Sequence, residues 1–271
     1  MTGFLRTPHT TAVFHEHRKG GETLNPCNSF CRREKKLLID TQCLPAFRED
    51  LLHYTEPDRY CRDGSAYEIC NLYFDTPSSD LIRRSVGKPK FKEKVRLRSY
   101  GTPREDSPVF LEVKRKLCRV GTKRRAILPL SRMRQFLATH EIPEDLPFVD
   151  RQVLREIRYL IECYELRPAL YLSYLREAFY DKENPAVRVT LDSDVLTRRE
   201  DLALESGRYG EPLLPVGKTL VEIKIDGAVP LWFAHLMSKY RLSFHSFSKY
   251  GTEYLTRCRE NQNRQETTTQ P

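Results

Sequence analysis

The sequence predicts an α+β fold built around a closed, eight-stranded antiparallel β-barrel with flanking helices. Three observations carry this expectation. Eight segments read as strands, and several alternate apolar and polar residues with a period of two. The polar positions of those strands are filled mostly by Lys and Arg rather than by the Ser, Thr and mixed charges of an ordinary wet face. The helical segments between them carry apolar stripes of their own and need an apolar surface to cover. If they cover the Val/Ile/Leu side of the sheet, closure turns the cationic side inward and gives the barrel a basic lumen.

Taken in order, residues 1–30 are polar and aperiodic, with Gly20–Gly21 and Pro26, and read as a flexible arm. Arg33–Ile39 is the first strand candidate, and Leu44–Tyr54 a short helix. Ala66–Thr76, Lys92–Tyr100, Val109–Lys116 and Lys123–Pro129 follow as strands, and Ser131–His140 as a helix. In Asp150–Glu165, Val153, Ile157, Leu160 and Ile161 recur at helical spacing, with Asp150 placed as the N-cap. Ala169–Tyr180, Val187–Ser193 and Leu220–Asp226 complete the strands. Pro230–Tyr240 opens with Pro in its first turn and carries Trp232, Phe233, Leu236 and Met237 along one side. Residues 257–271 read as a frayed, disordered tail. With no Pro/Gly/Ser linker and no internal repeat, residues 31–256 are expected to form one domain.

Composition narrows the partner. The 271 residues are 39% hydrophobic and 31% charged, with a formal net charge of +9, so an anionic partner is the default expectation. No apolar run approaches the roughly 20 residues that cross a bilayer. The first residues lack an apolar signal core, and a cytoplasmic protein is expected. The eight cysteines are scattered, without zinc-ligand spacing, and are expected to be reduced thiols.

The alternation itself names the candidate site. Lys94, Arg96 and Arg98 share one strand face, opposite Val95 and Leu97. Glu112, Lys114 and Lys116 share another, as do Glu222 and Lys224, and Arg188, Thr190 and Asp192. Lys123 with Arg125 and Glu34 with Lys36 repeat the pattern more briefly. A solvated outer face would explain any one of these strands. It does not explain the set, because like charges on one face repel unless an anion lies among them. Phosphate oxygens match guanidinium forks two bonds at a time. Glu112 and Glu222 then either pair with neighbouring lysines or hold a divalent cation that bridges phosphate oxygens.

Other signals fall away. Gly217-Lys218-Thr219 lacks the spacing of a phosphate-binding loop and precedes a strand instead of a helix. The seven histidines form no triad, and His245 reads as a surface side chain. Lys88-Pro89-Lys90 reads as a solvated loop. Nucleic-acid binding would place the cations on helices or tails with aromatic partners, and here they sit on strands.

These residues resemble the polyphosphate polymerase (VTC) domain of the vacuolar transporter chaperone complex, within the triphosphate tunnel metalloenzymes. The resemblance runs from about Arg32 to Gly251. It rests on the order of Arg32-x-Glu34-x-Lys36, Leu72-Tyr73-Phe74-Asp75-Thr76, Lys94-x-Arg96-x-Arg98, Leu111-Glu112-Val113-Lys114 and Lys123-x-Arg125. It continues through Tyr174-x-Arg176, Val187-Arg188-x-x-Leu191-Asp192, Glu222-x-Lys224 and Phe247-Ser248-Lys249-Tyr250. The resemblance implies transfer of the γ-phosphate of ATP onto a polyphosphate chain inside an eight-stranded triphosphate tunnel. It implies catalytic roles for Lys36, Arg96, Arg98, Lys114, Arg176, Arg188 and Lys249. Lys94, Lys123, Arg125, Tyr174, Lys224 and Ser248 would bind substrate, and Glu222 would hold a divalent metal, Mn²⁺ rather than Mg²⁺. Arg32 replaces the first glutamate of the Glu-x-Glu-x-Lys strand found in the wider superfamily, which favours the polymerase over a tunnel triphosphatase. Ser246 stands where some polymerases have a lysine. A tunnel triphosphatase and a non-catalytic polyphosphate-binding module are the alternatives. The expected partners are ATP and inorganic polyphosphate, with no nucleic acid and no transmembrane segment; any membrane-protein partner stays unspecified.

Overall fold

A computed structural model describes residues 29–30, 33–61, 63–118 and 120–268. The strands are β1 (Ser29–Phe30), β2 (Arg33–Asp40), β3 (Thr55–Pro57), β4 (Tyr67–Asp75), β5 (Phe91–Tyr100), β6 (Pro108–Leu117) and β7 (Val120–Pro129). After two helices come β8 (Arg167–Asp181), β9 (Arg188–Arg198), β10 (Glu211–Pro212) and β11 (Lys218–Ile225). The helices are α1 (Leu44–Tyr54), α2 (Asp80–Val86), α3 (Leu130–Thr139), α4 (Phe148–Tyr164), α5 (Leu231–Lys239) and α6 (Lys249–Thr268). All eight strands expected from the sequence are present, within a few residues at each end.

The strands form one antiparallel sheet in the order β1-β7-β6-β5-β4-β8-β9-β11-β2, with β3 added to β8 and β10 to β9. The sheet is not closed as a barrel, which corrects the expectation from sequence. Among the described residues β2 pairs with β11 and no ladder joins it to β7. Both would-be closing edges are met by other backbone. β1 pairs with β7 at Ser29–Thr122 and Phe30–Gly121, and the His245 amide donates to the Lys36 carbonyl on the free edge of β2 at 2.7 Å. The sheet is nevertheless strongly curled. Phe30 lies on the β7 edge and Arg33 opposite Ile225 on β11. Three residue steps span at most about 10 Å, so the two edges approach that closely there.

The convex face is apolar and covered by helices. Val95, Leu97, Leu111, Val113, Ala126 and Leu128 pack against Met133 and Phe136 of α3 and against Val153, Leu154, Ile157, Leu160 and Ile161 of α4. Leu37, Ile39, Val189, Leu191, Val221 and Ile223 pack against Phe47 and Leu51 of α1 and Phe233 and Leu236 of α5. Two helix starts differ from expectation. α4 is capped by Pro147, so Asp150 lies in the first turn instead of at the cap, and Pro230 caps α5 instead of entering it. In each case a proline with φ near its fixed value sets the entry.

α2 and α6 do not follow the others. Ile82 and Tyr250 pack with Ile69, Tyr73, Leu170, Leu172 and Tyr174, the alternate residues of β4 and β8 that face away from α3 and α4. These two helices therefore plug part of the concave face. α6 continues through residues 257–268, where the sequence predicts a frayed tail. Of the arm predicted over residues 1–30, Ser29 and Phe30 instead form β1 against β7, and residues 1–28 lie outside the described residues.

Asp75, fully buried, ties the plug together. Its carboxylate accepts from the amides of Leu81 (2.8 Å) and Ile82 (3.0 Å) at the start of α2, from the Thr76 amide (2.8 Å), and from the Tyr250 hydroxyl (2.9 Å) on α6. Burial and the Asp75 carboxylate both push the Tyr250 pKa up, keeping the phenol a donor. Asp75→Ala strands several buried donors and is expected to cost about 3 kcal/mol or more, against about 1 kcal/mol for Tyr250→Phe, which removes one bond. Urea unfolding of the two variants checks this; equal, small losses would mean that Asp75 does not secure the helices.

Candidate functional site

Register converts the cation-bearing strands into rungs across the concave face. Arg125, Glu112, Arg96 and Tyr73 lie in one row across β7, β6, β5 and β4. The next row on one side holds Lys123, Lys114 and Lys94, and on the other Phe110, Arg98 and Asn71. Across β8, β9, β11 and β2, Arg176 faces Asp192, Thr190 faces Glu222, Glu222 faces Lys36, and Arg188 and Glu34 flank Lys224. Side chains from strands that are not neighbours then meet. Lys114 Nζ on β6 is 3.6 Å from Glu34 Oε1 on β2, which requires these residues to occupy the concave side of a curled sheet. Arg98 reaches the Tyr174 hydroxyl at 3.4 Å, across β4.

The segment entering α6 crosses this face. Phe247 O accepts from Lys36 Nζ at 3.0 Å, Ser248 Oγ accepts from Lys94 Nζ at 3.2 Å, and Lys249 pairs with Asp192. The Lys249 ammonium also lies 4.4 Å from the Tyr174 ring centroid. Ser248 and Lys249 thus reach the site because Asp75 and Tyr250 hold the helix that follows them.

Three buried carboxylates organise the cations. Glu112 takes Arg96 at 2.7 Å and Lys123 at 2.6 Å. Asp192 takes Arg176 through both oxygens, at 2.6 and 2.7 Å, and Lys249 besides. Glu222 lies 3.4 Å from both Lys36 and Lys224. Burial raises the pKa of each, but the surrounding cations outweigh it and hold all three below the usual carboxylate range. The cations still outnumber them. Lys36, Lys94, Arg96, Arg98, Lys114, Lys123, Arg125, Arg176, Arg188, Lys224 and Lys249 share the face with Glu34, Glu112, Asp192 and Glu222. The strain registers on the lysines. Burial, then Lys36, Lys114 and Arg96, push Lys94 down to about 8. Desolvation, then Arg96 and Arg98, do the same to Lys123 despite Glu112. Tyr73, pushed up by burial, is nonetheless brought down to about 8 by Arg96, Lys94 and Arg98.

Residues 31–257 match the sequence profile of the VTC domain. The chain belongs to the VTC domain family. It is also 24% identical over 284 residues to vacuolar transporter chaperone complex subunit 4 of Trypanosoma brucei brucei, covering 86% of this chain and 36% of that protein. The corresponding subunit of Trypanosoma cruzi is 25% identical, over 82% of this chain and 33% of that protein. The chain thus spans about a third of the length of these curated relatives. A candidate adenylate cyclase from Bacillus halodurans is similar in structure, with a TM-score of 0.49 and 14% identity over 81% of this chain and 96% of that one.

In this VTC domain the residues expected from sequence come together on one face, with Arg188 at its rim. There Arg188 contacts Asp58 Oδ2 and the Tyr67 hydroxyl, both at 3.3 Å. The position of Arg32 lies outside the described residues. Glu112 takes the plainer of its two expected roles, pairing with neighbouring cations. Tyr73 and Asn71 belong to the site but are not singled out from sequence, because the face of β4 that carries them has no Lys or Arg to extend the cationic pattern. Among the described residues no three His, Cys, Asp or Glu side chains gather at one point. The carboxylates fit a metal only as a partial set. Lys224 Nζ lies between Glu222 Oε1 at 3.4 Å and Glu34 Oε1 at 3.7 Å, so both carboxylates already share one cation. Hard oxygens of this kind suit Mg²⁺ or Mn²⁺ completed by phosphate and water.

The depressed lysines give a pH signature. A polyanion binds the charged ammonium and raises its pKa, so binding should take up protons near pH 8 and weaken as pH rises above it. Calorimetric titration of tripolyphosphate in buffers of different ionisation enthalpy measures this uptake. Lys94→Gln should reduce it, and a wild-type affinity unchanged from about pH 7 to about pH 9 would contradict the assignment.

Proposed function

We propose that this VTC domain is a metal-dependent polyphosphate polymerase that transfers the γ-phosphate of ATP to the end of a polyphosphate chain. The observation that carries this reading is the surplus of cations in successive rungs of one concave face, in a chain whose family is the VTC domain. In the transfer, a terminal oxygen of the chain bonds to the γ-phosphorus. The bond from that phosphorus to the β–γ bridging oxygen breaks, and ADP leaves. No protein nucleophile is needed, so the work is positioning and charge neutralisation.

The residues divide that work by how firmly they are held. Arg176 is fixed by both oxygens of Asp192, Arg96 by Glu112 and Tyr73, and Arg98 by Asn71 Oδ1 at 2.8 Å. These anchored guanidiniums orient the reacting phosphates. Lys36, Lys114, Lys123, Lys224 and Lys249 neutralise charge around them, with Lys94 and Ser248 joining the two halves of the face. Arg125 and Arg188 stand at its edges, and Tyr174, wedged between Arg98 and Arg176, packs beside the nucleotide. Glu222, with Glu34 beside it, would hold the divalent metal, Mn²⁺ in preference to Mg²⁺, which supplies further neutralisation of phosphate oxygens. The curled but open sheet would present its concave face to the chain. Because the curated relatives are named as subunits of a complex, a partner polypeptide belongs to this reading. No helix among the described residues is long and apolar enough to cross a membrane.

Incubation with ATP and Mn²⁺, followed by gel electrophoresis of the product, is the test. Long polyphosphate with ADP is the expected result. Orthophosphate alone would make the protein a triphosphatase, and no turnover with tight polyphosphate binding would make it a binding module. Glu222→Gln should abolish metal-dependent turnover, a loss of at least about a hundredfold, while polyphosphate binding is kept. Full activity in that variant would remove Glu222 from the metal site.

A further inference from the structure

A cavity of about 340 Å³ opens at the end of the concave face beyond Lys94 and Lys114. Its inner wall is Glu34, Lys36, Lys94, Lys114 and Ser248, which the proposed reaction already uses. Its outer wall holds three further lysines with no role so far: Lys88, Lys92 and Lys116. Lys92 and Lys116 lie directly opposite each other in the β5–β6 ladder, one rung beyond the opposed pair Lys94 and Lys114. Like charges in directly facing positions destabilise a sheet, and here two consecutive pairs do so along one line. Burial, then Lys116 and Lys88, lower the Lys92 pKa, so the crowding is felt without an anion. Lys88 adds a backbone observation: it holds φ at +55°, where glycine or asparagine is favoured, yet carries a long cationic side chain.

We propose that Lys88, Lys92 and Lys116 form a separate phosphate-chain subsite at this mouth, which grips the distal, non-reacting phosphates of a long linear polyphosphate. The proposal rests on the polyphosphate reading above. The cavity continues the cationic line of Lys94 and Lys114 outward, so a linear chain held at the centre runs on into it. A short phosphate compound seated at the anchored arginines reaches Lys94 but not the outer wall, since Lys92 lies two residues further along β5, about 7 Å beyond Lys94.

The test compares binding of inorganic tripolyphosphate and of long-chain inorganic polyphosphate to the full chain, with a thermal melt of each variant. The double variant Lys92→Ala/Lys116→Ala should bind the long chain roughly tenfold more weakly, as expected for the loss of charged hydrogen bonds. Its affinity for tripolyphosphate should stay within about twofold. Lys88→Gly removes a charge while relaxing the backbone, so it should fold at least as well as the wild type and still lose affinity for the long chain alone. Arg176→Ala should weaken both ligands. Unchanged long-chain binding in the mouth variants, or equal loss of both ligands, overturns the subsite while leaving the central site intact. A wild type that binds neither ligand overturns the functional reading itself.

Discussion

The structure depends on how a face crowded with cations is kept from driving itself apart. Two unit charges 4 Å apart interact by about 4 kcal/mol at an effective dielectric of about 20, so each unpaired lysine–lysine contact counts against folding. Glu112, Asp192 and Glu222 are each buried and each shared by two cations. Sharing makes them worth more than surface ion pairs, since losing one leaves two partly desolvated cations unpaired. It also leaves the face short of negative charge, and Lys94, Lys123 and Lys224 have lowered pKa values, chiefly through burial and further through neighbouring cations. Under the proposed function, a bound polyanion would supply what the carboxylates do not.

That inward polarity follows from what lies outside. Four helices, α1, α3, α4 and α5, cover the β-branched and leucine side of the sheet. The hydrophobic effect therefore fixes which face is convex, and the cations are turned inward as a consequence. α2 and α6 then cap part of the inner face through Ile82 and Tyr250. The same helix that fills the apolar part delivers Ser248 and Lys249 to the charged part. Packing and site construction are one event at Asp75.

The alternation in β2, β5, β6, β9 and β11 was legible because one face is charged and the other apolar, so period and facing can both be read from Lys94-Val95-Arg96-Leu97-Arg98. β4 and β8 were legible as strands but not in facing, since Ile69, Leu170 and Leu172 are as apolar as Cys70, Leu72 and Tyr171. α2 has only seven residues, and α6 is too polar beyond residue 257 to show a stripe. Closure could not be read at all. It turns on which backbone reaches the free edges of β2 and β7, and His245 and β1 do so through main-chain groups that leave no mark on side-chain pattern. Ser248 and Lys249 were found through family resemblance, not alternation, because they sit at a helix entry.

The division between arginine and lysine along the face has a physical logic. Arg96, Arg98 and Arg176 are planar forks with their orientation set by Glu112, Asn71 and Asp192. Little side-chain entropy remains to be lost when they grip a phosphate, so they suit the point where geometry must be exact to a fraction of an ångström. Lys114 is half-exposed, and its nearest carboxylate, on Glu34, is 3.6 Å away; Lys92 and Lys116 face one another without a carboxylate between them in the ladder. Flexible ammoniums of this kind attract charge without dictating angle. In the proposed transfer, a chain advancing by one phosphate at a time needs a rigid grip where the bond forms and a compliant one behind it, and the order Arg98, Arg96, Lys94, Lys92 along β5, with Arg125 and Lys123 on β7, provides that gradient.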